Sequence, residues 1–133
     1  MINVYIDTSG SMTEMGKDRG ADYVAKSVVD YCSALGIEAE VNKLDGYKIK
    51  DLGNFFDSAV ENSIFLSDGL FRYDKEKIFD IAISVGIDSD RKVLEKVAAK
   101  TFQSDDLVKA LEYLIFYNDL FLASERIMTD DEW

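Results

Sequence analysis

Histidine is missing from all 133 residues. Without it the chain cannot build a Ser-His-Asp or Cys-His catalytic arrangement, nor an imidazole metal site. Any metal must be held by oxygen ligands, which points to magnesium, calcium or manganese. Cysteine occurs once, at Cys32, so no internal disulfide can form and a reducing compartment is expected. Proline is absent, and no low-complexity tract or internal repeat interrupts the chain. No apolar run approaches the length of a bilayer span. The opening Met-Ile-Asn-Val-Tyr-Ile-Asp lacks the basic start and long apolar stretch of a secretory signal, so a cytoplasmic protein is expected. Basic residues are scarce: 15 Lys and Arg stand against 26 Asp and Glu, for a formal net charge of -11. Such a field repels nucleic acid and anionic membrane surfaces, so neither is expected as a partner, and it favours cations or basic faces.

The remaining composition, 47% hydrophobic and 31% charged, suits one compact domain. Residues 2–6 read as a short strand stopping at Asp7, and residues 8–20 as a polar loop entering a helix. Ala21, Val24, Ala25, Val28, Cys32 and Leu35 then fall on one buried helical stripe, with Gly36 as its C-cap. Cys32 lies on that stripe and reads as core rather than as a reactive thiol. Ile37, Ala39 and Val41 alternate with Glu38, Glu40 and Asn42, the pattern of a strand with one wet face. Asp45-Gly46 signals a hairpin turn, residues 47–52 a returning edge strand, and residues 53–61 a short helix. Ile64-Phe65-Leu66 is a buried run ending in the turn Ser67-Asp68-Gly69, and residues 78–85 form another buried strand before Gly86.

Asp88, Ser89 and Asp90 can cap a helix carrying Val93, Leu94, Val97 and Ala98. An extended stretch over residues 100–103 leads to Ser104, an N-cap for a last helix bearing Leu107, Leu111, Leu114, Ile115 and Leu122. Tyr113, Phe116, Tyr117 and Phe121 add aromatic bulk, most of it covering the sheet and a surplus free for a partner. The expected layout is a domain over residues 1–123 and an acidic tail over 124–133. Strands alternating with helices predict an α/β fold: a mostly parallel sheet covered on both faces, with one antiparallel edge strand.

In such a sheet, ligands sit outside the carboxyl ends of the strands. Asp7, Ser9 and Ser11 are alternate residues leaving the first strand, with Gly10 relieving crowding, and Asp68 leaves a later one. Hydroxyls and carboxylates without a soft ligand suit a hard divalent cation. The same short side chains would also serve as helix caps and turn acceptors. A phosphate loop over Gly10 to Lys17 is excluded by spacing: five residues separate Gly10 from Gly16, and Asp18 stands where Ser or Thr should follow Lys17.

Asp7-Thr8-Ser9-Gly10-Ser11-Met12, following Val4-Tyr5-Ile6, resembles the Asp-x-Ser-Gly-Ser signature of von Willebrand factor A (vWA) domains. Ile64 to Gly69 resembles the family's later strand ending in Thr-Asp-Gly, and Ile81 to Gly86 its next strand. The resemblance implies a three-layer α/β/α, Rossmann-like fold and a metal-ion-dependent adhesion site. There Ser9 and Ser11 would ligate Mg2+ (or Mn2+ or Ca2+) directly, with Asp7 and Asp68 acting through water. The family's threonine ligand has no counterpart in the matching region. Asn54, after Gly53, is the best match, through its carbonyl oxygen, and Ser58 could offer a hydroxyl instead. The implied function is a non-enzymatic protein–protein interaction module, an adaptor or regulator whose partner completes the coordination with a carboxylate. Relatives inside bacterial cells often work beside MoxR-type AAA+ ATPases, which makes such a system a candidate partner. Two alternatives are a metal-independent scaffold using its helix faces and a magnesium-dependent hydrolase using Asp7.

Overall fold

The computed structural model describes residues 1–44, 60–70 and 77–117. In chain order they form β1 (Ile2–Ile6), α1 (Lys17–Ala34), β2 (Ala39–Lys43), β3 (Val60–Ser67), β4 (Phe79–Ser84), α2 (Arg91–Val97), β5 (Ala98–Gln103) and α3 (Leu107–Tyr117). Tight 3-10 turns occupy Gly10–Thr13 and Ser104–Asp106. The strands make one sheet in the order β2-β1-β3-β4-β5, and every pairing among the described residues is parallel. The expected antiparallel strand over 47–52, its hairpin turn and Asn54 all lie outside the described residues. The helix expected over 53–61 does not reach Glu61, because β3 already begins at Val60.

Strand pleating sends alternate side chains to opposite faces, and each face meets its own helices. Ile2, Val4 and Ile6 join Ile64, Leu66, Ile81 and Ile83 under α1 and α3, which contribute Val24, Val28, Leu111 and Leu114 among others. On the other face Phe65, Phe79 and Ala82 pack with Leu94 and Val97 of α2. The Phe65 and Phe79 rings stack with centroids 4.4 Å apart. Burying a side chain of this size stabilises the fold by roughly 2–3 kcal/mol.

Several boundaries differ from the pattern-based expectation. Helix α1 starts at Lys17 instead of near Ala21, since Gly16 at φ 72° turns the chain into the helix from the left-handed region. At its other end Leu35 is the C-cap and Gly36 lies one residue past it. Ile37 donates back to the Cys32 carbonyl at 2.8 Å, a Schellman-type closure that delays β2 to Ala39. Of the three candidate caps for α2, Asp90 does the work, accepting from the Lys92 and Val93 amides. Ala98 does not continue that helix: it is extended and pairs with Phe79, so β5 is longer than residues 100–103. Ser104 opens a 3-10 turn, which puts the start of α3 at Leu107.

Tyr113 is half-buried against Phe102. Side chains from Phe116 onward, with Phe121, Leu122 and the acidic tail, lie outside the described residues. No helix among the described residues is long and apolar enough to cross a membrane.

The sheet order reverses between β1 and β3, which places a crevice outside their carboxyl ends. The turn after β3 is held by the Asp90 amide, which donates to the Asp68 carbonyl at 2.7 Å. Gly69, at φ 74°, makes that approach possible: an added Cβ would overlap the Asp90 carbonyl oxygen and crowd Leu94. Gly69→Ala should therefore destabilise the domain by about 2–3 kcal/mol in chemical denaturation. A loss under about 0.5 kcal/mol, the range of an ordinary surface change, would show that this turn does not constrain the crevice.

Candidate functional site

The parallel register that sets Ile6 beside Leu66 also sets Asp7 beside Ser67. The Asp7 amide donates to the Leu66 carbonyl at 2.9 Å, continuing the ladder one step past the strand. Its carboxylate is buried. One oxygen accepts the Ser9 amide at 2.8 Å and the other accepts the Ser67 hydroxyl at 2.7 Å. Ser67 accepts the Gly69 amide in turn at 2.9 Å, so the two loops share one polar chain. The Thr8 hydroxyl donates to the Leu44 carbonyl and ties the first loop to the end of β2.

Beyond Thr8, the 3-10 turn closes through the Met12 amide on the Ser9 carbonyl at 2.9 Å, with Met12 anchored in the core. This turn brings the hydroxyl oxygens of Ser9 and Ser11 to 3.3 Å from each other. At that distance one hydroxyl can donate to the other, and the pair stands slightly wider than the edge of about 3.0 Å between two ligands at right angles on a magnesium ion.

Asp68 is fully buried on the adjacent turn. One of its oxygens accepts the Leu70 amide at 3.0 Å; the other accepts the Lys17 ammonium at 3.1 Å. Lys17 is only 2% exposed and reaches the Asp88 carboxylate at 2.8 Å as well. Burial works to lower the Lys17 pKa, but its bonds and charge interactions with Asp88 and Asp68 outweigh that and hold it above the ordinary lysine value. Its hydrogen bond to Lys17 lowers the Asp88 carboxyl pKa.

Asp7 has no such partner among the described residues. Burial raises its pKa, against the hydrogen bonds from Ser67 and Ser9, and the nearby Asp68 charge raises it further. The donor set thus divides. Ser9, Ser11 and Asp7 fit a hard cation by spacing, oxygen chemistry and uncompensated charge. Asp68 differs in that its charge is already matched by the Lys17 ammonium. No group of three or more His, Cys, Asp or Glu among the described residues is arranged to hold an ion. The role considered for Asn54 lies outside those residues. Sequence reading places Ser67 in a turn and Asp88 among helix caps without giving either a site role, and it gives Lys17 none.

Comparison of the chain with models of known protein families, with curated proteins and with solved structures returned no match.

A folded-state pKa raised above the unfolded value means that ionising Asp7 costs stability. The cost is absent below the ordinary carboxylate range, grows as pH rises towards the folded pKa, and is full above it. In chelator at pH 7, Asp7→Asn should melt above the wild type. The gap should close as pH falls to about 4. Scanning calorimetry across that range checks both points, and a variant no more stable at pH 7 would contradict an uncompensated carboxylate.

Proposed function

We propose that this chain is a three-layer α/β/α interaction domain of the vWA type that grips another protein through a divalent cation at Ser9 and Ser11. The observation that carries the reading is the hydroxyl pair 3.3 Å apart beside a buried carboxylate that has no cationic partner among the described residues. The strand order and the helices on both faces support the fold part of the reading. In this reading Mg2+, Mn2+ or Ca2+ is held by Ser9 and Ser11, with Asp7 behind them. When bound, the ion supplies a positive point that an acidic chain otherwise lacks, and a carboxylate of the partner completes its shell. Exposed Met15, Leu70 and Ile87 stand on the surrounding loops and offer apolar contact to the same partner. A partner from an AAA+ ATPase system belongs to the same proposal.

Asp7 is a poor nucleophile in this setting, buried and with both oxygens accepting hydrogen bonds. The binding reading therefore stands ahead of a hydrolase. Manganese titrated into 15N-labelled protein should broaden amide signals first around Ser9–Met12. Magnesium should reverse the effect, and the Ser9→Ala/Ser11→Ala double variant should abolish it. Broadening that persists in the double variant would place the ion elsewhere. None at all in the wild type would favour a scaffold that works through its helix faces.

A further inference from the structure

Lys17 occupies the first position of α1, where a positive charge opposes the helix dipole. Its stem nevertheless runs inward until the ammonium meets two carboxylates from loops 51 and 71 residues further along. The route exists because residue 86 is glycine: a Cβ there would stand 2.9 Å from Lys17 Cε, and φ is 91°. The ammonium is thus buried in an unfavourable helical position and matched by two carboxylates.

We propose that the Lys17 ammonium is the resident cation of this site, neutralising Asp68 in place of a divalent ion. Ser9, Ser11 and Asp7 are then the described residues left to serve the ion. The second half rests on the ion-binding reading above. Lys17 is a specificity-determining residue here: it lowers the ion affinity of the free domain by withholding one carboxylate. Adjacent Asp7 makes no ion pair with the ammonium.

The test compares Mn2+ affinity, from broadening at Ser9–Met12, in the wild type, Asp68→Asn, Lys17→Gln and the double variant. Asp68→Asn should bind within about threefold of the wild type, since its carboxylate already serves Lys17. Lys17→Gln should bind at least about tenfold tighter, and adding Asp68→Asn should erase the gain. A tenfold loss in Asp68→Asn alone, or no gain in Lys17→Gln, would overturn the proposal. Should Lys17→Gln fail to fold, Asp68→Asn decides. If the wild type shows no Ser9- and Ser11-dependent binding, the ion reading fails separately, and a stability cycle in chelator decides the pair. Coupling of at least about tenfold in the unfolding equilibrium between Lys17 and Asp68 sustains the resident cation; additive losses overturn it.

Discussion

Removing an ammonium from water costs several kcal/mol even after relaxation, so Lys17 must be matched by charge wherever it is buried. The match comes from Asp68 at 3.1 Å and Asp88 at 2.8 Å. This one requirement gathers the start of α1 and the loops after β3 and β4 at a single point. Neighbouring backbone follows: the Val85 amide bonds to the Ser67 carbonyl and the Asp90 amide to that of Asp68. The carboxyl edge of the sheet therefore has a fixed shape that hydrophobic packing beneath it would not supply alone. Removing Lys17 leaves the buried Asp68 charge stranded, and removing Asp68 leaves the ammonium with Asp88 alone, so the edge is coupled to the fold.

Two buried carboxylates on neighbouring loops carry opposite assignments. Asp68 is compensated by a cation of the chain itself, whereas Asp7 is held among the described residues by hydrogen bonds and is raised in pKa by burial. Both follow the same Asx geometry, accepting the amide two residues ahead. What separates them is the reach of Lys17. Groups of one chemical type are pushed to different roles by their surroundings, a pattern more often found at functional sites than in plain turns.

Much of the architecture was legible because it follows from periodicity. The stripe from Ala21 to Cys32 and the apolar runs at Ile64 and Ile81 emerge as the elements that build the two cores. Asp7, Ser9 and Ser11 were legible as neighbours in sequence, and their convergence needed only one tight turn. The parallel pairing of β1 with β3 brings Asp68 to the same edge from 61 residues away. Lys17 was harder to see. Stepping back four residues from Ala21 along the helical stripe lands on it, but the polar stretch over 8–20 reads as loop and conceals that continuation. Its partners are distant in sequence, and no local pattern announces an ion pair. Boundary shifts at Ile37 and Ala98 share one cause: backbone hydrogen bonds chose the ends where side-chain pattern was ambiguous.

Under the proposed function, the split between the carboxylates bears on how the domain would recognise its partner. Neutral hydroxyls offset little of the cost of dehydrating a divalent ion, and a water-mediated Asp7 adds only part of the missing charge. With Asp68 committed to Lys17, an ion at Ser9 and Ser11 gains most from a carboxylate arriving from outside. Ion and partner would then raise each other's affinity by the same factor, because linkage is reciprocal. A chain of net charge -11 repels an acidic partner unless that ion is present, which makes the attraction conditional. On that proposal the buried lysine would turn a stronger resident site into one whose occupancy depends on the partner, and discrimination would follow from that dependence.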